Sequence, residues 1–112
     1  MTVTVAVLIP AKYAESSQTT QYTATGVQAI IDKFTATNID TVARTLSVNL
    51  VTSAETAGNS NLIIKTKMLQ PAEIYTFPEL AGQLLNPGDF ISTIAGTAST
   101  VVIRAGGREV TR

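Results

Sequence analysis

The 112-residue sequence contains no cysteine, no histidine and no tryptophan. Without cysteine there is no disulfide framework, thiolate nucleophile, zinc–thiolate site or iron–sulfur cluster. Without histidine the usual general base near neutral pH and the commonest metal ligand are missing. Without tryptophan the strongest stacking platform for a base or a sugar is gone. Charge is scarce as well: 14% of residues are charged, against about 25% in an ordinary globular domain. The eight basic and eight acidic residues cancel. No basic cluster exists of the kind that nucleic acid or an anionic membrane attracts, so neither is expected as a partner.

Much of what is present is β-branched. There are 18 Thr, 10 Val and 10 Ile, 38 of the 112 residues. These side chains are stiff at χ1, cost helix propensity and pack well on a pleated surface. Hydrophobic residues make up 45%, so the polar surface must come from Thr, Ser, Asn and Gln. A neutral, Thr-rich surface is weakly solvated and lacks colloidal repulsion. It suits a protein held in a larger assembly, or a small β domain with a threonine-rich exterior. The length predicts one domain, 1–112, that buries about 65% of its unfolded surface.

Strand periodicity dominates. Val3, Val5, Val7 and Ile9 share one face of an N-terminal strand that Pro10 is expected to end. Ala6 and Leu8 make the other face apolar too. No positive charge precedes Lys12, and no apolar run reaches membrane-spanning length, so neither a secretory signal nor a spanning helix is expected. Glu15 to Thr20 reads as a loop, and Gln21 to Ala24 as a short strand. Further on, Ile30, Phe34 and Ala36 alternate with Lys33, Thr35 and Thr37. Asn38 to Thr41 reads as a turn. Leu46, Val48 and Leu50 alternate with Thr45, Ser47 and Asn49, which predicts a half-buried strand. Ser53 to Asn61 is a loop. Leu62, Ile64 and Met68 then alternate with Lys65 and Lys67, placed in water.

Two proline turns follow. Pro71 pre-sets φ in Gln70-Pro71-Ala72-Glu73, and Pro87-Gly88 fits a type II turn in Asn86-Pro87-Gly88-Asp89. Ile74 to Phe77, Phe90 to Ala95 and a segment from Val101 are strands, with a bulge or tight turn at Gly106-Gly107. Glu79 to Leu85 could form no more than a turn of helix. The sum is about eight strands, the signature of an antiparallel β-sandwich of jelly-roll type.

Chemistry is hard to find. No histidine activates the serines, and Ser60 with Lys65 has no spacing of known mechanistic use. Asp32, Asp40, Glu73, Glu79 and Asp89 could in principle pair for glycoside hydrolysis. Glu73 and Asp89 sit in proline turns, however, where an acid serves turn chemistry alone. No run such as D-x-D-x-D-G and no phosphate loop occurs. No catalytic, metal or cofactor-binding residue is assigned. Tyr13, Tyr22 and Tyr75 could anchor an interface, each offering contact area with a polar tip.

Several stretches carry a resemblance. They are Ala29-Ile30-Ile31-Asp32-Lys33-Phe34-Thr35-Ala36-Thr37-Asn38, Leu46-Ser47-Val48-Asn49-Leu50-Val51, Asn59-Ser60-Asn61-Leu62-Ile63-Ile64 and Leu69-Gln70-Pro71-Ala72-Glu73. Leu85-Asn86-Pro87-Gly88-Asp89-Phe90-Ile91 and Val101-Val102-Ile103-Arg104-Ala105-Gly106-Gly107-Arg108-Glu109-Val110 complete the set. Over residues 27 to 111 the chain is similar to the capsid decoration (staple or cement) proteins of epsilon-fifteen-like short-tailed phages. The resemblance implies a jelly-roll-like β fold on the outer surface of the virion head. It implies a clamp on neighbouring major capsid subunits, homodimers at local twofold positions, and no catalytic motif. Other phage tail, neck or fibre modules share such strand patterns. A carbohydrate-binding sandwich is a third reading, disfavoured by the missing Trp and His. The N-terminal residues, 1–20, lie outside the resemblance and form a strand plus loop suited to subunit contacts. The expected interface residues are Val3, Val5, Val7, Ile9, Tyr13 and Tyr22.

Overall fold

Nine strands form in the order that the β-branched runs and turn residues set. They are β1 (Thr2–Tyr13), β2 (Thr19–Thr23), β3 (Gln28–Asn38), β4 (Arg44–Val51), β5 (Leu62–Leu69), β6 (Ile74–Thr76), β7 (Leu84–Leu85), β8 (Phe90–Ala95) and β9 (Val101–Thr111). The computed structural model describes residues 1–111, and among them the one helical element is a 3₁₀ turn at Asn59–Asn61. The two-residue β7 is the strand beyond the eight expected. Sheet A has the order β1-β9-β3-β6, with β7 also on β3, and sheet B the order β2-β8-β4-β5. All pairs are antiparallel. The pairing is nested: β1 takes β9, β2 takes β8, β3 takes β6 and β7, and β4 takes β5.

The sheets enclose one core. Phe34, Phe77, Ile9, Ile31, Leu46, Leu69, Leu80, Leu85, Ile91 and Ile103 are fully buried in it, each contributing about 1.5–3 kcal/mol. Phe77 meets Phe34 edge-to-face at 5.4 Å and Tyr75 at 4.7 Å between ring centroids, the geometry that ring quadrupoles favour. Lys67 is not simply solvated as expected. It lies over the Tyr75 ring, 4.3 Å from its centroid.

Both proline turns close as type II. The Glu73 N–H donates to the Gln70 carbonyl at 3.0 Å and the Asp89 N–H to that of Asn86 at 2.9 Å. Gly88 (φ 91°) and, less comfortably, Ala72 (φ 63°) hold the positive-φ corner. The 79–85 segment makes hydrogen-bonded turns rather than a helix, with Gly82 at φ 84°.

Inserted residues correct several expectations. Pro10 does not end β1. The register on β9 shifts between Val7 and Ile9 and again between Ile9 and Lys12, so Pro10 sits in an irregular stretch where a missing N–H is tolerated. The first shift also turns Ile9 away from the valine face and into the core. In β3 the register shifts between Ile31 and Lys33, leaving Asp32 as the extra residue. Ala29 and Ile31 therefore point inward before it and Phe34, Ala36 and Asn38 after it, which puts Ile30 on the face opposite Phe34. In β5 one extra residue falls at Lys65–Thr66 and a second at Ile63, so Leu69 takes the buried place expected for Met68 and Leu62 lies opposite Asn49 rather than on the core face. β4 lies between β8 and β5, and Ser47 and Asn49 are buried along with Leu46 and Val48. β2 begins at Thr19, inside the expected loop.

Gly106 and Gly107 make neither a turn nor a bulge of their own. β9 runs through them, while β1 and β3 bulge on either side. A Cβ on Gly107 would collide with the Ile30 carbonyl oxygen and come within 2.9 Å of Leu8 Cδ1, whereas one on Gly106 would find its nearest neighbour at 3.9 Å. Gly107→Ala should therefore lower stability by about 1–3 kcal/mol, read as a fall in the urea midpoint, and Gly106→Ala should leave the midpoint nearly unchanged. Equal behaviour of the two variants would refute this account of the close approach.

Candidate interaction surface

The two outer faces of the sandwich differ. On sheet B the outward side chains Ser47, Asn49 and Ser92 are buried beneath the segments that precede β2 and β5. Gln18 Nε2 donates to Ser92 Oγ (2.8 Å) and Asn49 Oδ1 (3.3 Å). Asn49 Nδ2 donates to the Gly58 carbonyl (3.0 Å) and Asn61 Oδ1 (2.8 Å), and the Thr66 N–H to Ser47 Oγ (2.8 Å). Among the described residues no buried side-chain polar atom lacks a partner. A shallow groove remains beside this network, lined by Gln18, Ser47, Asn49, Asn59, Lys65 and Thr66 with Leu62 and Ile94. Its lining includes neither an aromatic ring nor a carboxylate.

Sheet A is open. Residues paired across strands share a face, so the register places its outward side chains in rows. Val3 lies beside Val110 and Gln28; Val5 beside Arg108, Ile30 and Leu84; Val7 beside Gly106 and Lys33. At the far end Tyr13 lies beside Val102, Thr37 and Ile74, with Arg104, Thr35 and Thr76 between. Val3, Val5 and Val7 are 51%, 84% and 53% exposed, and Tyr13, Ile74 and Leu84 are also largely exposed. A monomer that met only water would gain from hiding this area.

The expected interface residues divide accordingly. Val3, Val5, Val7 and Tyr13 stand on the open face. Ile9 is fully buried. Tyr22 packs against the core and its hydroxyl donates to Glu109, tying β2 to the end of β9; burial first, then the Glu109 carboxylate, push its pKa up. The N-terminal strand is no detached arm, since it pairs with β9 from Thr2 to Tyr13, interrupted at Leu8 and Pro10–Ala11, and Leu8 and Ile9 belong to the core. Removing residues 1–10 would empty part of that core as well as the face. Ile30, Leu84, Val110 and Ile74 were not anticipated on this surface. The Asp32 bulge hides Ile30 from a simple alternation count, and the other three acquire their place only from long-range pairing.

Charges on the face are few. Arg108 grips Asp32 in a fork, Nε at 3.1 and 3.2 Å from the two carboxylate oxygens and Nη2 at 2.9 Å from one of them. Lys33 and Arg104 have no carboxylate partner among the described residues. The other acids considered for chemistry are engaged locally. Glu73 Oε1 accepts from the Gln70 N–H (2.7 Å), and Asp89 accepts from the Asn86 and Ser53 N–H groups (both 2.9 Å). Tyr75 donates to Glu79. Among the described residues no three acidic side chains are grouped as a metal site would require. No hydrogen bond joins Ser60 to Lys65 among them either.

No protein-family model, no curated protein and no solved structure matches the chain.

Two ion pairs contribute to the acid response. Hydrogen bonds from Lys12 and then Gln21 hold the Glu15 carboxyl below its ordinary pKa, and Arg44 with the Thr41 N–H does the same for Asp40. A carboxyl depressed in the folded state adds stability above its unfolded pKa and loses it as pH falls through the folded value. The melting temperature should therefore drop on acidification below about pH 4. The Glu15→Gln/Asp40→Asn double variant should show a shallower drop, by a modest margin because both pairs face solvent. An unchanged slope in calorimetry would rule these carboxylates out as contributors.

Proposed function

We propose that the protein is a phage virion component that binds the outside of the head and clamps neighbouring major capsid subunits, with no catalytic role and no cofactor. The observation that carries this reading is the asymmetry of the sandwich: one outer face is roofed by its own loops, while the other is left open with rows of exposed apolar side chains, Val3, Val5, Val7, Tyr13, Ile74 and Leu84. Such a face fits a broad protein surface rather than a small ligand. The chain's neutrality favours the exterior of a shell over contact with packaged nucleic acid; the unpaired charge on that face is limited to two cations, Lys33 and Arg104. The nested pairing, in which successive strands fold over together from the β4–β5 hairpin, supports the jelly-roll reading of the sandwich. The resemblance in residues 27 to 111 supplies the virion context and the expectation of dimers at local twofold positions.

The clamp would work by mass action. A protein that binds the assembled shell and not free subunits raises the free energy of disassembly. Weak contacts suffice when each copy touches two or more subunits, because the second contact forms at high effective concentration. Shells lacking the protein should come apart at a lower temperature than complete ones, and adding the purified protein back should restore the higher value, followed by light scattering. Identical disassembly curves would rule out the clamp. Copy number separates this reading from a tail, neck or fibre role: a clamp should approach the major capsid protein in stoichiometry, a neck or tail part should not.

A further inference from the structure

The sandwich has four sheet edges, and three are guarded. β6 and β7 on the far side of sheet A are three and two residues long. β2 is five residues with a register shift at its centre. β5 carries two shifts and the side chains of Lys65 and Lys67. Short strands, bulges and lysines are the usual means of keeping an edge from pairing. The edge of β1 has none of these from Thr2 to Val7: its register on β9 is regular there, and no charged side chain or proline occurs before Pro10.

We propose that this edge pairs with the same edge of a second copy, antiparallel, about a twofold axis at Val5. The regular stretch with the next residue, Thr2–Leu8, is centred on Val5. That register sets Val5 against Val5 of the second copy and Val3 against Val7 in both directions. An axis at Ala6 would bring Pro10 opposite Thr2 and the bulge into the ladder. An isologous contact also requires that no charge oppose its own copy across the axis. The charge nearest Val5 on the open face is Arg108, and Asp32 neutralises it. The contact closes, because the opposite edge of sheet A offers only β6 and β7. Two sheets would thus become one, with the valine ladder at its middle.

A seven-residue strand is about 24 Å long, so edge pairing alone buries roughly 500 Å², well below the ~1,200 Å² of a standard stable interface. The free dimer is accordingly weak, and it tightens when both copies sit on a common surface. The pairing deepens the dimeric part of the proposed function and rests on no other part of it.

The test uses the chain's lack of cysteine. In Val5→Cys the introduced thiol is the only one, and mild oxidation of the concentrated protein should give a disulfide-linked dimer. Val3→Cys and Val7→Cys alone should give little, since the axis separates like residues by four positions, about 14 Å, beyond disulfide reach. An equal mixture of those two should give the mixed dimer. Val5→Lys, at a position 84% exposed, should sediment as a monomer at concentrations where the parent chain associates, with its melting temperature kept. Equal bridging by all three single cysteine variants, or none by Val5→Cys at concentrations where the parent associates, would overturn the pairing. So would a parent chain that sediments as a monomer at every concentration and yields no Val5→Cys bridge. Shell binding compared between the reduced and the disulfide-bridged Val5→Cys protein separates the two ideas, since the face is the same in both: reduced copies that stabilise shells while bridged dimers do not bind would leave the clamp standing with the edge pairing disproved as its basis.

Discussion

Sheet A exists only if the last strand reaches the first. β9 lies between β1 and β3, and those two do not touch each other through the ladder. Residues near 105 must therefore find partners near 9 and near 34 at once. The approach is close enough that Gly107 has no room for a side chain. Such pairing spends most of the chain's loop-closure entropy before any contact rewards it. Once β9 is seated, Leu8, Ile31, Phe34, Ile103 and Ala105 become one buried layer. That layer is the surface against which sheet B packs.

Much of this was legible from residue order. The proline turns at Pro71 and Pro87 carry their geometry in two residues each. Phe90–Ala95 and the long final strand follow from alternation bounded by turn signals. What was not legible is where a strand gains one residue. Leu8, Asp32, Ile63 and the single extra residue at Lys65–Thr66 carry no local mark of an insertion, yet each inverts the alternation on passing it. Ile9, Ile30 and Met68 changed sides for that reason alone. Gly106-Gly107 did announce irregularity, but the irregularity belongs to the neighbours that lean toward the glycines. The candidate surface divides in the same way. Val3, Val5 and Val7 were readable as one face because no insertion interrupts them, while Leu84 and Ile74 joined them only through pairing at long range.

The polar residues account for the scarcity of charge. Asn38, Ser47, Asn49, Ser92, Thr93 and Thr100 are buried, and amides and hydroxyls can be satisfied there at far lower desolvation cost than ions. Asn38 shows how. Its Nδ2 donates to the Val42 and Leu69 carbonyls and its Oδ1 accepts from the Asp40 N–H. It thereby fixes the turn after β3 and holds it to the end of β5. Threonine serves the open face differently. It keeps that face wettable without fixing the sign of a partner's charge, and Lys33 and Arg104 supply the little electrostatic preference there is.

The chain's two ends leave the molecule together, since Thr2 stands opposite Thr111. This governs how the fold bears mechanical load. A pull applied at the two ends peels β1 from β9, so the hydrogen bonds take the force one pair at a time and yield in sequence. A pull carried sideways through the length of β1 loads the whole ladder in shear, with many bonds resisting together. The same strand is thus a weak seam when tugged from its end and a strong rail when gripped along its edge. An attachment made along the open side of β1 uses the fold in the direction in which it gives way least.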